Sequence, residues 1–229
     1  MKIAVIGAGA MGSIYGGHLS KNHQVYLVDT NPDIVKQINS EGLKIDEDGV
    51  TNIWHPTAVT DTEGLGEMDL VILFVKSIFS RAALAGNRGV IGEKTRLLTL
   101  QNGAGHEDIL KEFVPEERVI IGTTEDNGAV LAPGHVRRGG VGNTNVGMLT
   151  EDREGFLPRL KEAFDSCGFH VKHSVSHLGQ AVYQCILKRG DRYPAGRYGI
   201  HSRQRIRVEF NESPDSRSDS GRRFTWPFL

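Results

Sequence analysis

The sequence predicts an α/β protein organised around a doubly wound, mainly parallel sheet, and three observations carry that prediction. Apolar runs of buried-strand type alternate with helical stretches over the first three quarters of the chain. A glycine-rich turn, Gly7-x-Gly9-x-x-Gly12, joins the first strand to the first helix. The 28 glycines and an aromatic content of only 7% suit many tight turns rather than a helical bundle.

The elements follow in order. Lys2-Ile3-Ala4-Val5-Ile6 is a strand with almost no polar interruption, as a strand covered on both faces requires. After the glycine turn a helix runs to about Lys21, with Met11, Ile14, Tyr15 and Leu19 on one face. Gln24–Val28 is the second strand and ends at Asp29; Asn31-Pro32 opens the next helix, proline being tolerated where the N–H has no helical partner. Residues 43–60 alternate weakly around Asp48-Gly49, a hairpin signal. Buried strands follow at 69–76 and 96–101, then a helix at about 106–113 and a strand at 118–124. Short β segments split by glycines fill the stretch to Leu149, predicting a short antiparallel β extension. An amphipathic helix at about 153–166 and a strand near Phe169–Val171 complete the regular part.

At 229 residues the chain is long for one domain and short for two. Its net charge of −1 is unevenly spread: residues 1–179 carry 17 basic and 23 acidic side chains, residues 180–229 ten and five. The two cysteines, Cys167 and Cys185, have no metal-ligand or disulfide spacing, and no window approaches the roughly 20 apolar residues of a membrane span. A cytoplasmic protein with no membrane and no nucleic-acid partner is therefore expected.

The glycine turn gains its meaning from its setting. It follows a strand, opens a helix and lies in a strand–helix–strand unit that ends in an acidic residue, which is the arrangement of a Rossmann-type dinucleotide-binding unit. Gly7 permits the tight turn, Gly9 lets a pyrophosphate approach the backbone, and Gly12 lets helix and strand pack closely. The expected cofactor-binding loop is thus Gly7, Ala8, Gly9, Ala10, Met11 and Gly12. Asp29 stands where a carboxylate accepts hydrogen bonds from the adenosine ribose and repels a 2′-phosphate, favouring NADH. Its competing role is to cap the helix that opens at Pro32.

Further motifs accumulate in order: MKIAVIGAGAMGSIYGGHLS, Phe74-Val75-Lys76, Leu100-Gln101-Asn102-Gly103-Ala104-Gly105, Gly122-Thr123-Thr124 and Pro133-Gly134-His135-Val136. Together they resemble the ketopantoate reductase (2-dehydropantoate 2-reductase) family over roughly residues 1–175. The resemblance implies an N-terminal dinucleotide domain, a helical C-terminal domain, and an active site in the cleft between them. It implies NADPH-dependent reduction of ketopantoate, a small 2-keto acid, on the way to pantothenate. By the same resemblance Lys76 lies near the cofactor, Asn102 binds both cofactor and substrate, and the short loop around Gly128 lines the cofactor. Simpler roles are a solvated strand-end lysine for Lys76 and a turn for Asn102-Gly103. His106 is expected to be exposed in the first turn of a helix, and Arg137-Arg138 to form a solvated strand edge.

Two departures qualify the likeness. Thr30 follows Asp29 where many family members carry an arginine suited to a 2′-phosphate. The helix that bears the family's general-acid lysine is also missing, so no catalytic residue is expected to be intact. Residues 1–172 read as the NAD(P)-binding domain and residues 173–229 as a non-homologous tail, irregular or disordered. That tail holds nine arginines and one lysine in its last fifty residues and keeps no period. Shifted by one nucleotide, His177–Pro194 can be read as IWGKLFINVSLNAVTAIL, the tryptophan, lysine and spaced asparagines expected of the family's inter-domain helix. We therefore read the tail as out-of-frame translation; the rival reading is a basic, nucleic-acid-binding tail. An oxidoreductase of this family, inactive as this chain, is the expectation. The alternatives are an orphan dinucleotide-binding domain and a 3-hydroxyisobutyrate-type dehydrogenase, and a homodimer stays open.

Overall fold

A computed structural model describes residues 1–103 and 105–173 of the chain. The expectations placed on residues 174–229, the out-of-frame tail above all, lie outside the described residues. The first strand β1 (Lys2–Ile6) leads through α1 (Ala10–Leu19) to β2 (Gln24–Val28), and α2 (Pro32–Glu41) follows. A hairpin of β3 (Leu43–Glu47) and β4 (Val50–Trp54) precedes the short β5 (Thr57–Val59). Then β6 (Leu70–Leu73), α3 (Ser80–Gly86), β7 (Arg96–Thr99), α4 (His106–Lys111) and β8 (Val119–Thr124) alternate. The described chain closes with β9 (Asn127–Ala132), β10 (His135–Gly140), β11 (Asn143–Met148), α5 (Phe156–Asp165) and β12 (His170–His173).

The main sheet has eight strands in the order β12-β11-β8-β7-β6-β1-β2-β5. From β5 to β8 every pairing is parallel; β11 runs antiparallel to β8 and pairs in parallel with β12. Strand periodicity divides the core in two. Ile3 and Val5 of β1 point to one face with Leu70 and Ile72 of β6, while Ala4, Ile6, Val71 and Leu73 point to the other. Helices α1, α2 and α5 cover the first face through Ile14, Ile38 and Leu160; α3 and α4 cover the second through Leu84 and Leu110. That is the doubly wound arrangement expected.

The antiparallel extension is larger than the sequence suggested. The Asp48-Gly49 turn forms as expected, with positive φ at both residues (51° and 79°), and closes the β3–β4 hairpin. This hairpin joins β9 and β10 in a separate four-stranded sheet, β4-β3-β10-β9, through a parallel pairing of β3 with β10. That contact joins segments about ninety residues apart, so no local pattern announces it.

The second sheet lies over α1 and changes the environment of that helix. A one-faced helix was expected, but every residue from Gly12 to Leu19 is buried. Gly16 faces the Leu27 side chain in the main sheet, and Gly17 faces Ile45, Leu43 and Trp54 in the small one. Glycines on both sides let a helix sit between two sheets without a Cβ in the way. The expected solvated edge at Arg137-Arg138 is corrected for the same reason. β10 is an interior strand, so Arg137 is exposed while Arg138 turns inward and is buried. Among the described residues no helix is long and apolar enough to cross a membrane.

Candidate functional site

A cleft of about 520 Å³ opens at the carboxyl ends of β1, β6, β7 and β8. It falls beside the point where the strand order reverses, between β1 and β6, where open α/β sheets leave a crevice. Its walls are Gly9–Met11 after β1, Phe74–Ser77 after β6, Leu100–Asn102 after β7, and Thr124 and Asp126 after β8.

The three glycines of the loop do different things. Gly7 has φ +103°, a conformation that L side chains rarely adopt, and its amide donates to the Val28 carbonyl at 2.8 Å. A Cβ on Gly12 would lie 1.8 Å from the Gly7 carbonyl oxygen, so only glycine allows α1 to start this close to the loop. A Cβ on Gly9 would meet nothing within 4 Å, which leaves its backbone bare to the cleft. Gly9 caps α1 without a side chain and no acidic residue occupies the first turn. The free N–H groups there, with the positive end of the helix dipole, suit an anion such as a pyrophosphate.

Asp29 lies at the end of β2, and its carboxylate reaches across to the loop. One oxygen accepts from the Ala8 N–H at 2.8 Å and the other from the Asn31 N–H at 2.9 Å. It is not the cap of α2. Asn31 holds that position, its side chain accepting from Asp33 N–H at 3.0 Å, because it stands next to Pro32 at the first helical residue. The Asp29 carboxylate is therefore held beside the glycine loop, where a ribose bound there would meet it.

On the opposite wall Lys76 and Asn102 are exposed to the cleft. Among the described residues neither side chain has a hydrogen-bonding or ionic partner, so both are available to a ligand. Gln101, between the two loops, is by contrast fully engaged. Its amide nitrogen donates to the Val75 carbonyl and to Ser80 Oγ (3.1 Å), and its amide oxygen accepts from Thr99 Oγ1 at 2.9 Å. His106, expected to be exposed, is buried beneath the Asn102-Gly103 turn, its Nε2 3.2 Å from the Asn102 carbonyl. The positive φ of Gly103 and Gly105 folds the chain back over the imidazole.

Gly128 is not in a loop. It belongs to β9, where a Cβ would strike Ile14 of α1 at 2.4 Å and approach Ala10 at 3.5 Å. It therefore packs the small sheet against the first turn of α1, and the cleft wall beside it is Thr124 and Asp126. The Asp126 carboxylate accepts from Arg138 Nη2 at 2.9 Å and Gly142 N–H at 3.2 Å, with both charged side chains almost wholly buried. Arg138 extends the contact to Glu47 at 3.5 Å. Tyr15 joins the far side of the cleft wall through hydrogen bonds with Thr124 (2.9 Å) and Thr144 (2.7 Å), and burial pushes its phenol pKa up. No metal-binding cluster of His, Cys, Asp or Glu occurs among the described residues.

Gln101, His106 and Asp126 are the members of this region whose roles a linear reading missed. Gln101 carried a signal, lying inside the Leu100–Gly105 motif, but its partners are 21 and 26 residues away. Asp126 and Arg138 gave none, since two charges twelve residues apart show no period.

Sheet order, switch-point cleft, glycine loop and acidic end of β2 together define a domain of the dinucleotide-binding Rossmann class. Comparison with known proteins narrows the class. The chain belongs to the family described as ketopantoate reductase PanE/ApbA, which matches residues 3–151. A 2-dehydropantoate 2-reductase of Streptococcus pyogenes is 35% identical over 155 residues, 67% of this chain and 50% of that protein. One of Halobacterium salinarum is 31% identical over 82% of this chain and 62% of its own. Among solved structures, the 2-dehydropantoate 2-reductase of Geobacter metallireducens aligns with a TM-score of 0.76 at 27% identity, covering 82% of this chain and 62% of that one. A D-mandelate dehydrogenase solved with NADH and anilino(oxo)acetate aligns with a TM-score of 0.75 at 32% identity, covering 82% and 60%. The chain thus spans about half the length of the curated Streptococcus relative it matches.

Proposed function

We propose that this chain is the cofactor-binding half of an NAD(P)H-dependent 2-keto acid reductase, with ketopantoate as substrate and pantoate as product. The observation that carries the reading is the cleft itself. An uncapped helix start, the Asp29 carboxylate, and two unpartnered polar side chains, Lys76 and Asn102, line up along one edge of the sheet. In this reading the pyrophosphate lies on Gly9, Ala10 and Met11, and the adenosine ribose hydroxyls donate to Asp29. The nicotinamide end then reaches Lys76 and Asn102. The bound cofactor supplies hydride; Asn102, able to donate and accept, orients the nicotinamide ribose and the keto acid.

The Asp29 carboxylate repels a 2′-phosphate and Thr30 offers no cation to hold one, so NADH is the preferred cofactor. The likeness to a dehydrogenase solved with NADH agrees with this preference. Titration of the purified 229-residue chain tests it: NADH should bind at least about tenfold more tightly than NADPH, the equivalent of about 1.4 kcal/mol. Tighter binding of NADPH would refute the assignment.

Turnover is a separate matter. Loss of a general acid costs roughly 10²–10⁴-fold, and the reading of residues 173–229 as out-of-frame removes that acid together with half of the substrate cleft. Reduction of ketopantoate by this chain should therefore stay near background, and measurable reduction would overturn that part of the proposal. The chain would then serve as a dinucleotide-binding domain that holds cofactor without chemistry. Resequencing the gene across codons 165–229 tests the frame: one inserted or deleted nucleotide should restore the tryptophan–lysine–asparagine helix. A second substrate reading has one observation in its favour, the 32% identity to a D-mandelate dehydrogenase. A panel of aliphatic and aromatic 2-keto acids on a frame-restored protein separates the two.

A further inference from the structure

We propose that Gln101 is a positioning residue that locks the Lys76 loop and the Asn102 loop into one rigid rim, fixing where the nicotinamide half of a dinucleotide can sit. The inference rests on the dinucleotide reading of the cleft and adds to it the device that sets the distance between its two unpartnered side chains.

The geometry is specific. Lys76 follows β6 and Asn102 follows β7; the parallel pairing of these strands ends at Leu73 and Thr99. Beyond that point no backbone ladder holds the two segments together. The Gln101 side chain bridges the gap, its amide nitrogen donating to the carbonyl of Val75, the residue before Lys76. The same nitrogen contacts Ser80 Oγ at the start of α3, and Ser80 is completely buried. The amide oxygen is held by Thr99 Oγ1, which also accepts from the Gln101 N–H at 3.2 Å. Gln101 therefore has partners at both ends of its amide and no freedom to turn, while its neighbour Asn102 is exposed and its side chain has no partner among the described residues. His106 supports the same turn from below through the Asn102 carbonyl.

The order of the strands says which part of a ligand this clamp touches. Asp29 ends β2, the glycine loop follows β1, and Gln101 lies beyond β6 on the far side of β1. A dinucleotide with its adenosine ribose at Asp29 and its pyrophosphate on the loop meets Lys76 and Asn102 only with its nicotinamide half. ADP carries the adenosine and the pyrophosphate but neither the second ribose nor the nicotinamide ring that the rim would position.

The full 229-residue chain with Gln101→Met keeps the side-chain length and loses every side-chain hydrogen bond of the clamp. We expect NADH affinity, read from the fluorescence of the bound dihydronicotinamide, to fall about 3- to 10-fold, the range for one or two net hydrogen bonds. ADP affinity, read by calorimetry, should change less than about twofold. A general loss of structure would weaken both ligands alike. Parallel losses, or an unchanged NADH affinity, would overturn the proposal. Should Gln101→Met fail to fold, Ser80→Ala removes one clamp contact and leaves the Val75 bond. It should give a smaller loss confined to NADH, and no loss would count against the clamp. Wild-type chain that binds neither ligand would remove the dinucleotide reading itself, and the clamp with it. Wild-type binding combined with an indifferent Gln101→Met would remove the clamp alone.

Discussion

Gly9 and Gly12 stand three residues apart in one loop, and the structure gives them opposite fates on substitution by alanine. At Gly12 the added Cβ would lie 1.8 Å from the Gly7 carbonyl oxygen and 3.0 Å from its carbonyl carbon. Both are backbone atoms in a turn held by the Gly7–Val28 hydrogen bond, and α1 cannot retreat because sheets cover it on two sides. Overpacking of this kind costs about 1–3 kcal/mol, or roughly 2–12 °C in melting temperature for a chain of this size. At Gly9 the backbone has φ −69° and ψ −171°, open to any L residue, and the new methyl meets nothing within 4 Å. Alanine there reduces the freedom of the unfolded chain and should leave stability unchanged or raise it by about 0.4–1 kcal/mol. The methyl would instead occupy the space a pyrophosphate needs against the backbone, a clash of about 1–3 kcal/mol that lowers NADH affinity about 5- to 150-fold. Urea denaturation and an NADH titration on both variants provide the assay. Gly9→Ala with normal NADH affinity would refute the placement of the pyrophosphate, and Gly12→Ala as stable as wild type would refute the packing argument.

Three further outcomes follow from the same geometry. Asp29→Asn keeps an oxygen for the Ala8 N–H but removes the charge, so the ratio of NADPH to NADH affinity should rise by about tenfold in paired titrations; an unchanged ratio would show that Asp29 does not face the 2′ position. Arg138→Met strips the buried partner from Asp126 and should cost about 3–5 kcal/mol in urea denaturation. Adding Asp126→Asn should recover much of that loss, and strict additivity of the two would contradict direct pairing. His23 is held below its ordinary pKa of 6.5 by burial and by the Met1 ammonium, 3.3 Å from its Nδ1. The unfolded chain then binds the proton more readily, so stability should fall as pH drops through about 6.5. His23→Gln should shrink the difference in urea midpoint between about pH 7.5 and pH 5, and an unaltered slope would exclude His23 as a contributor.

The elements that could be read from sequence are those with local causes. β1 and β6 are covered on both faces, so apolar runs reveal them, and the Asp48-Gly49 turn declares its hairpin because few residues tolerate two successive positive φ values. Helix limits shift by a few residues, α5 beginning at Phe156 rather than near 153. The small sheet escaped because its central pairing, β3 with β10, joins distant segments of weak pattern. The errors at Arg138 and His106 have one origin. A charged or polar residue on a short, glycine-flanked element looks solvated until folding covers it, Arg138 by pairing with Asp126 twelve residues away and His106 by the Asn102-Gly103 turn folded over it. Asp29 shows the converse: position in the strand–helix–strand unit located its carboxylate, while the cap fell to Asn31, next to Pro32 at the first helical residue.

The second sheet gives the glycines of α1 a common purpose. Gly12, Gly16 and Gly17 bring the helix against the loop, the Leu27 side chain and the Ile45–Trp54 surface respectively, so the helix is wedged along its whole length. A ten-residue helix is marginal in isolation, and packing on two sides is what fixes its axis. Its N-terminus opens on the cleft without a side-chain cap, so the first-turn N–H groups stay aimed at a site they do not themselves fill. Orienting those donors at the moment of binding would cost conformational entropy; here that ordering is completed during folding. Gly128 contributes from β9 by letting the small sheet close against Ile14 and Ala10. A glycine more than a hundred residues along the chain from the nucleotide loop therefore packs against Ala10 and Ile14 and helps to seat the helix whose N-terminus faces the anion site.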